Sequence, residues 1–186
     1  MMEAEQAKGT PEERGIPKAQ FLDDVGAFLT KHESAEVALK EMQAAYRYYK
    51  LLEAKLVQSK ANLRAKIPDI RNALSMVQYL LSRKSGEEVS THFELSEGVF
   101  AKASLQNVDT VCLWLGANVM VEYSTEEANA LLTRNLESAT QNLEMVQQDL
   151  DFLKDQITIT EVNMARVFNF DVKQRRQGKS AGSSSS

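Results

Sequence analysis

Residues 111–132, VCLWLGANVMVEYSTEEANALL, decide the fold, because two kinds of periodicity meet inside them. Up to Tyr123 the residues alternate as in a strand, with Val111, Leu113 and Leu115 on one face and Cys112 and Trp114 on the other. Gly116-Ala117-Asn118 reads as a tight reversal, and Val119, Val121 and Tyr123 return. Then Ser124 with Glu127 forms a capping box, the hydroxyl accepting from the amide three residues on and the carboxylate reaching back. A hairpin thus runs directly into a helix. Both faces of the hairpin are largely apolar, and a strand apolar on both faces needs cover on both.

Immediately upstream, VSTHFELSEGVFAKASL at 89–105 repeats the pattern. Val89, Thr91, Phe93 and Leu95 share a strand face, Ser96-Glu97-Gly98 turns with glycine in the left-handed position, and Val99 to Ala103, including Phe100, return. Two hairpins of this length cannot cover themselves, so the apolar residues Phe93, Leu95, Val99, Phe100, Val111, Leu113, Trp114, Leu115, Val119, Val121 and Tyr123 are candidates for contact with other chains.

Outward from the hairpins lie two windows without glycine, Ala27 to Ser85 and Ala117 to Gln177. In the first, Met42, Ala45, Tyr49, Leu52, Leu56, Ser59, Leu63, Lys66, Ile70, Ala73, Val77 and Leu80 follow alternating steps of three and four. Ala139, Leu143, Val146, Leu150, Leu153, Ile157, Thr160, Met164 and Val167 do so in the second. Such spacing sustained over four or more heptads is a coiled-coil seam, and it runs about twice the length of ordinary globular helices. Two amphipathic helices in a globular bundle are the plainer alternative. Pro68 predicts a kink or local break, not the end of the helix, because the heptad phase continues beyond it.

Charge selects the pairing. Val37 to Lys84 carries ten basic and three acidic residues, whereas Ser124 to Phe170 carries three basic and eight acidic. Each helix repels a copy of itself and complements the other, so a folded-back antiparallel pair is predicted, with paired residue numbers summing to roughly 208 and a rod about 60–70 Å long.

The remaining composition excludes more than it suggests. The chain has 186 residues, 43% hydrophobic and 26% charged, with a formal net charge of −4. No apolar run approaches the roughly 18 residues of a membrane span, and a mildly acidic chain is a poor general nucleic-acid binder. One cysteine makes no internal disulfide, and the N-terminus lacks a secretory apolar core, so a cytoplasmic location is expected. GKS at 178–180 lacks the upstream glycine of a phosphate loop and reads as tail. His32 and His92 lie far apart in this plan and suggest neither metal nor catalytic pair. Cys112 in an apolar strand reads as a buried inert thiol, and Asp149, Asp151 and Asp155 as a solvated or cross-helix charge face. No cofactor and no enzymatic chemistry are expected.

Four strings carry a family resemblance: RGIPKAQFLDDVGAFL at 14–29, AKIPDIRNAL at 65–74, VCLWLGANVMVEYSTEEANALL at 111–132 and DFLKDQITITEVNMARVFNFDVK at 151–173. With the intervening heptads they cover residues 15–173, and over that length the chain resembles the α-type subunits of the prefoldin family. The resemblance implies a mainly α fold with a small β part: a long antiparallel two-helix coiled coil joined by two β-hairpins that complete an inter-subunit β-barrel. It implies a helix over about 31–85, hairpins over about 88–123 and a helix over about 124–173. Partners implied are other prefoldin subunits, in a hexamer of two α-type and four β-type chains, together with the cytosolic chaperonin and unfolded actin and tubulin, held without ATP. Residues 1–14 and the basic, serine-rich 174–186 fall outside the match and read as disordered.

Function then turns on the other end of the helices. Phe21, Leu22, Val25, Phe28 and Leu29, opposite Val167, Phe168 and Phe170, form a candidate client-contact tip. Packing of this segment onto the coil is the competing reading. A structural tether explains the helices but leaves the doubly apolar hairpins without a purpose.

Overall fold

A computed structural model describes residues 9–32, 34–83, 88–106 and 108–182. Its elements are α1 (Val25–Leu29), α2 (Ala35–Ser82), β1 (Val89–Ser96), β2 (Val99–Leu105), β3 (Thr110–Gly116), β4 (Val119–Ser124) and α3 (Thr125–Gly182). The chain divides into two compact units, one of residues 62–142, the other of residues up to 61 together with those from 143 onward.

In the unit of residues 62–142, β1 pairs antiparallel with β2 and β3 with β4, as two separate two-stranded sheets. Their tips are built alike. Pairing shifts at Leu95 in one hairpin and at Leu115 in the other, a two-residue turn follows, and Val99 or Val119 resumes the ladder. Gly98 adopts the expected left-handed conformation, at φ 74°. In the second hairpin both turn residues do so, Ala117 at 49° and Asn118 at 62°, the geometry that matches the right-handed twist of the strands. Leu74 and Val77 of α2 and Ala128 and Leu132 of α3 make this unit's core, joined by Ile70, Ala73 and Leu136. Val111, Leu113 and Tyr123 pack the inner face of the second hairpin onto that core.

The capping box is formed: the Glu127 amide donates to Ser124 Oγ at 3.2 Å and the Ser124 amide to Glu127 Oε2 at 3.2 Å. Helix α3 therefore starts at a strand end without a linker. Helix α2 does not end at Pro68, as expected, and of the expected kink or local break the break is absent. The proline is exposed, with its apolar neighbour Ile67 buried. Lys66, counted in the seam from its spacing, points to solvent, because a lysine ammonium loses its hydration if buried unpaired. Ile67 takes its place.

In the other unit, Tyr49 of α2 packs with Leu153 and Ile157 of α3, and Ile16 completes the cluster. The helices are antiparallel there: Tyr46 hydrogen-bonds Glu161, and Lys60 Nζ donates to Gln147 Oε1, both within one residue of the predicted register. Two expectations at the chain ends are corrected among the described residues. Residues 9–14, read as disordered, form a turn in which the Thr10 amide donates to Glu13 Oε2 at 2.7 Å, and Gly15 at φ 93° ends it. Helix α3 continues to Gly182, past the expected end at 173, so the GKS string lies on helical backbone. Residues 1–8 and 183–186, also expected to be disordered, lie outside the described residues.

Candidate functional site

Two surfaces were expected to carry function, one in each unit, and the structure treats them differently. On the hairpins, alternation sets one face of β3 and β4 against the helices and turns the other outward. Cross-strand pairs Val111 with Tyr123 and Leu113 with Val121 occupy the inner face, Trp114 with Met120 the outer. Trp114 is 63% exposed, with Leu115, Val119 and Met120 beside it. The first hairpin is barer still: Phe93, Leu95, Val99 and Phe100 are all exposed, while Val89, Thr91, Ala101 and Ala103 are half-covered. Cys112, expected to be a buried inert thiol, is exposed, because it shares the outward parity of Trp114.

At the N-terminal end, the segment before α1 packs onto α3 and resolves the eight tip candidates individually. Val25 and Val167 are buried, so these two are core residues and not accessible contacts. Leu22, Phe28, Leu29 and Phe170 are half-buried. Phe21 and Phe168 remain exposed, at 48% and 56%. Even Phe21 is held, with the Arg166 guanidinium 4.9 Å from its ring centroid and Arg166 Nη2 donating to the Asp23 carbonyl at 2.9 Å. Asp24 caps α1 by accepting from the Ala27 amide at 3.0 Å, and the Phe170 ring stands 3.6 Å from where a Cβ on Gly26 would lie, an ordinary packing distance. His32 stacks on Phe28 with 4.2 Å between centroids, and its Nε2 lies 3.3 Å from Glu41 Oε2.

Sequence reasoning missed the groups that hold this segment. Asp149, Gln156 and Asn163 recur every seven residues on α3, one position before the seam residues Leu150, Ile157 and Met164, and all three are buried. Asp149 is no solvated charge face: Arg14 Nε donates to both its oxygens, at 3.0 and 3.1 Å, and Arg14 Nη2 donates to Oδ1 at 2.5 Å, a charge-assisted pair. Gln156 Oε1 accepts from the Ala19 amide at 2.9 Å. Asn163 clamps two groups, accepting from the Leu22 amide at 3.0 Å and donating to the Gln20 carbonyl at 2.7 Å. Tyr49 adds its hydroxyl, donated to the Pro17 carbonyl at 3.1 Å, and burial raises its pKa. A buried amide on a coil is costly unless paired, and each pairs here with main chain. The seven-residue recurrence of buriable polar residues was the available signal.

Among the described residues no cluster of His, Cys, Asp or Glu is arranged to hold a metal ion, and no helix is long and apolar enough to cross a membrane.

Comparison with known proteins gives these surfaces a context. The family model "Prefoldin subunit" matches residues 49–170. Prefoldin subunit 3 of Homo sapiens is 47% identical over 169 residues, covering 89% of this chain and 86% of its own length. The probable prefoldin subunit 3 of Schizosaccharomyces pombe is 45% identical over 166 residues, covering 89% and 96%. That of Caenorhabditis elegans is 41% identical over 168 residues, covering 88% and 89%. A chain of filamentous PFD from Methanocaldococcus jannaschii aligns over 62% of this chain and 94% of its own at 19% identity, with a TM-score of 0.47, too slight a likeness to carry an argument. On the family match and these relatives, the chain belongs to the prefoldin family.

Proposed function

We propose that the chain is one subunit of a hetero-hexameric co-chaperone, an α-type chain among two α-type and four β-type subunits, that captures unfolded proteins without ATP. Actin and tubulin are the proposed clients, the cytosolic chaperonin the proposed recipient, and the cytosol the place. The observation that carries the reading is the exposed apolar surface of the hairpins: Trp114 and Met120 on the outer face of the second, and Phe93 and Phe100 on opposite faces of the first, stand exposed on two-stranded sheets that pair with no further strand among the described residues. Such surface on a two-stranded sheet favours completion by further strands. Membership of the prefoldin family supplies the kind of strand, those of other prefoldin subunits.

Client contact is assigned to Phe21 and Phe168, the two tip aromatics that stay exposed, with the half-buried Leu22, Phe28, Leu29 and Phe170 around them. Six such contacts on one base add through effective concentration, so none need be tight.

Native mass spectrometry of the chain purified with its partners tests assembly: a six-chain complex with one or two copies supports the reading, and a homodimer supports a structural tether instead. Phe21→Ser with Phe168→Ser, in a complex of verified stoichiometry, is expected to reduce suppression of actin aggregation. Full suppression by that variant removes these residues from the client surface.

A further inference from the structure

Residues 16–24 belong to no helix or sheet, and between Pro17 and Asp23 the main-chain groups of Pro17, Ala19, Gln20, Leu22 and Asp23 are met by side chains of the helices. The supply is regular. Gln156 and Asn163 are two helical turns apart, about 10.5 Å along α3. The residues they hold, Ala19 and Leu22, are three apart, about 10 Å in an extended chain. The two repeats match only if the segment is nearly extended.

Those contacts also ignore side chains. Ala19, Gln20 and Leu22 meet the two amides through N–H and C=O alone. Accepting from the amide of one residue while donating to the carbonyl two before it, as Asn163 does, reads extended backbone whatever the sequence. Apolar seats lie at either end, where Ile16 meets Tyr49, Leu153 and Ile157, and where Val25 is buried. Bare glutamine and asparagine side chains hydrogen-bond water, so an emptied groove carries no stranded polar group.

We propose that the groove marked by Gln156 and Asn163 on α3 is a docking site for an extended segment of unfolded polypeptide, filled in cis by residues 16–25 until such a segment displaces them. The inference rests on the client-holding reading above and adds to it a sequence-tolerant site and a built-in competitor. Arg14 on Asp149 is the latch, since it binds outside the amide pair and beyond the extended stretch.

The test uses the full chain assembled with its partner subunits and, as probe, a reduced, carboxymethylated and fluorophore-labelled polypeptide. Arg14→Ala weakens the latch and raises the open fraction, so apparent affinity for the probe is expected to rise roughly fivefold. Faster hydrogen exchange at the Ala19 and Leu22 amides verifies release. Adding Asn163→Leu to Arg14→Ala is expected to abolish the gain. Conversely, cysteines at 23 and 166 in a Cys112→Ser background, bridged by a short bis-maleimide, are expected to lower probe affinity roughly fivefold against the unbridged protein. If Arg14→Ala leaves the amides protected, the bridged pair decides alone. Equal binding by bridged and unbridged complexes overturns the inference while leaving client holding intact, as does a gain that survives Asn163→Leu. Failure of the unmodified complex to bind the probe at all overturns the client-holding reading itself.

Discussion

Trp114 on β3 and Leu153 on α3 are both large apolar residues within apolar stretches, yet Trp114 is 63% exposed and Leu153 is fully buried. The difference lies in what each element has within its own chain. Leu153 faces the other helix and Ile16, a complete set of neighbours. Trp114 faces away from the core described for its unit, which Leu113 and Val111 already occupy from the opposite side of the strand. An apolar residue thus reports a requirement for cover, and topology determines whether the chain itself meets it.

The sharpest way to break this comparison is to truncate both residues. Leu153→Ala is expected to destabilise the isolated chain by about 3–5 kcal/mol, since the transfer loss and the cavity add at a fully buried site. Trp114→Ala is expected to change the isolated chain by less than about 0.5 kcal/mol, the usual scale for exposed positions. In the complex with other prefoldin subunits it is expected to lower assembly yield strongly. Chemical denaturation of the single chain and native mass spectrometry of the complex read the two effects. A large loss from Trp114→Ala in the single chain would place the residue in an intramolecular core.

The N-terminal segment is an intermediate case, held by polar contacts to its main chain between the buried Ile16 and Val25. Asn163→Leu strands the Leu22 amide and the Gln20 carbonyl, an expected cost of about 1–3 kcal/mol. Its signature is local: hydrogen exchange accelerates at Ala19 and Leu22 while amides around Leu74 and Val77 stay protected. Uniform loss of protection would show that the segment is part of one cooperative core.

These three regions were unequally legible in the sequence. The helix pair, its antiparallel register and the hairpins follow from periodicity and charge, signals that repeat many times along the chain. The seam slipped at Ala45 and at Lys66, both exposed while Tyr46 and Ile67 lie under cover; at Lys66 spacing selected a residue that hydration keeps outside. The N-terminal segment repeats nothing. An extended stretch held by main-chain contacts leaves no pattern of its own, and its anchors, Arg14, Asp149, Gln156 and Asn163, are 135 to 143 residues apart in sequence where they pair. Hence Asp149 read as a solvated or cross-helix charge when its partner is Arg14 of the N-terminal segment, and the tip candidates read as one cluster, in which the structure buries Val25 and Val167. Cys112 and Trp114 show the reverse error and the reverse insight. Apolar context suggested burial for the thiol, while the same context, applied to the whole hairpin, pointed to surface in need of a partner.

A smaller effect is expected where strand meets helix. Ser124→Ala removes the acceptor for the Glu127 amide and is expected to cost about 1 kcal/mol, the usual worth of such a cap. Because Ser124 also ends β4, the change is expected to loosen the Thr110–Ser124 end of the hairpin together with the first turn of α3. Amide exchange at Glu127 and at Tyr123 reads both; loosening of the helix turn alone would mean that the hairpin does not depend on the cap.

The smallest expected effect sits at the tip of the second hairpin and has the opposite sign. Ala117 holds a positive φ of 49°, a conformation in which an alanine Cβ crowds the following carbonyl at a cost of about 1–2 kcal/mol. Asparagine tolerates that region better, because its side chain bonds locally to the backbone, and it is favoured in turns that need positive φ at both central residues. Ala117→Asn is therefore expected to stabilise the hairpin by about 0.5 kcal/mol, less than the full strain since asparagine also pays part of it. Glycine relieves the strain too, but its extra freedom in the unfolded chain offsets the gain, so Ala117→Gly is expected to be close to neutral. Valine, branched at Cβ, is expected to be worse than alanine. Slower exchange at the Leu113 and Val121 amides is the direct reading, since these residues pair across the strands behind the turn. If the outer face of this hairpin is the part that waits for partner strands, pre-forming it also raises assembly yield at limiting subunit concentration. Stabilised exchange with unchanged assembly would show that the tip is already set before partners arrive, and that the contrast with Leu153 lies in missing neighbours alone.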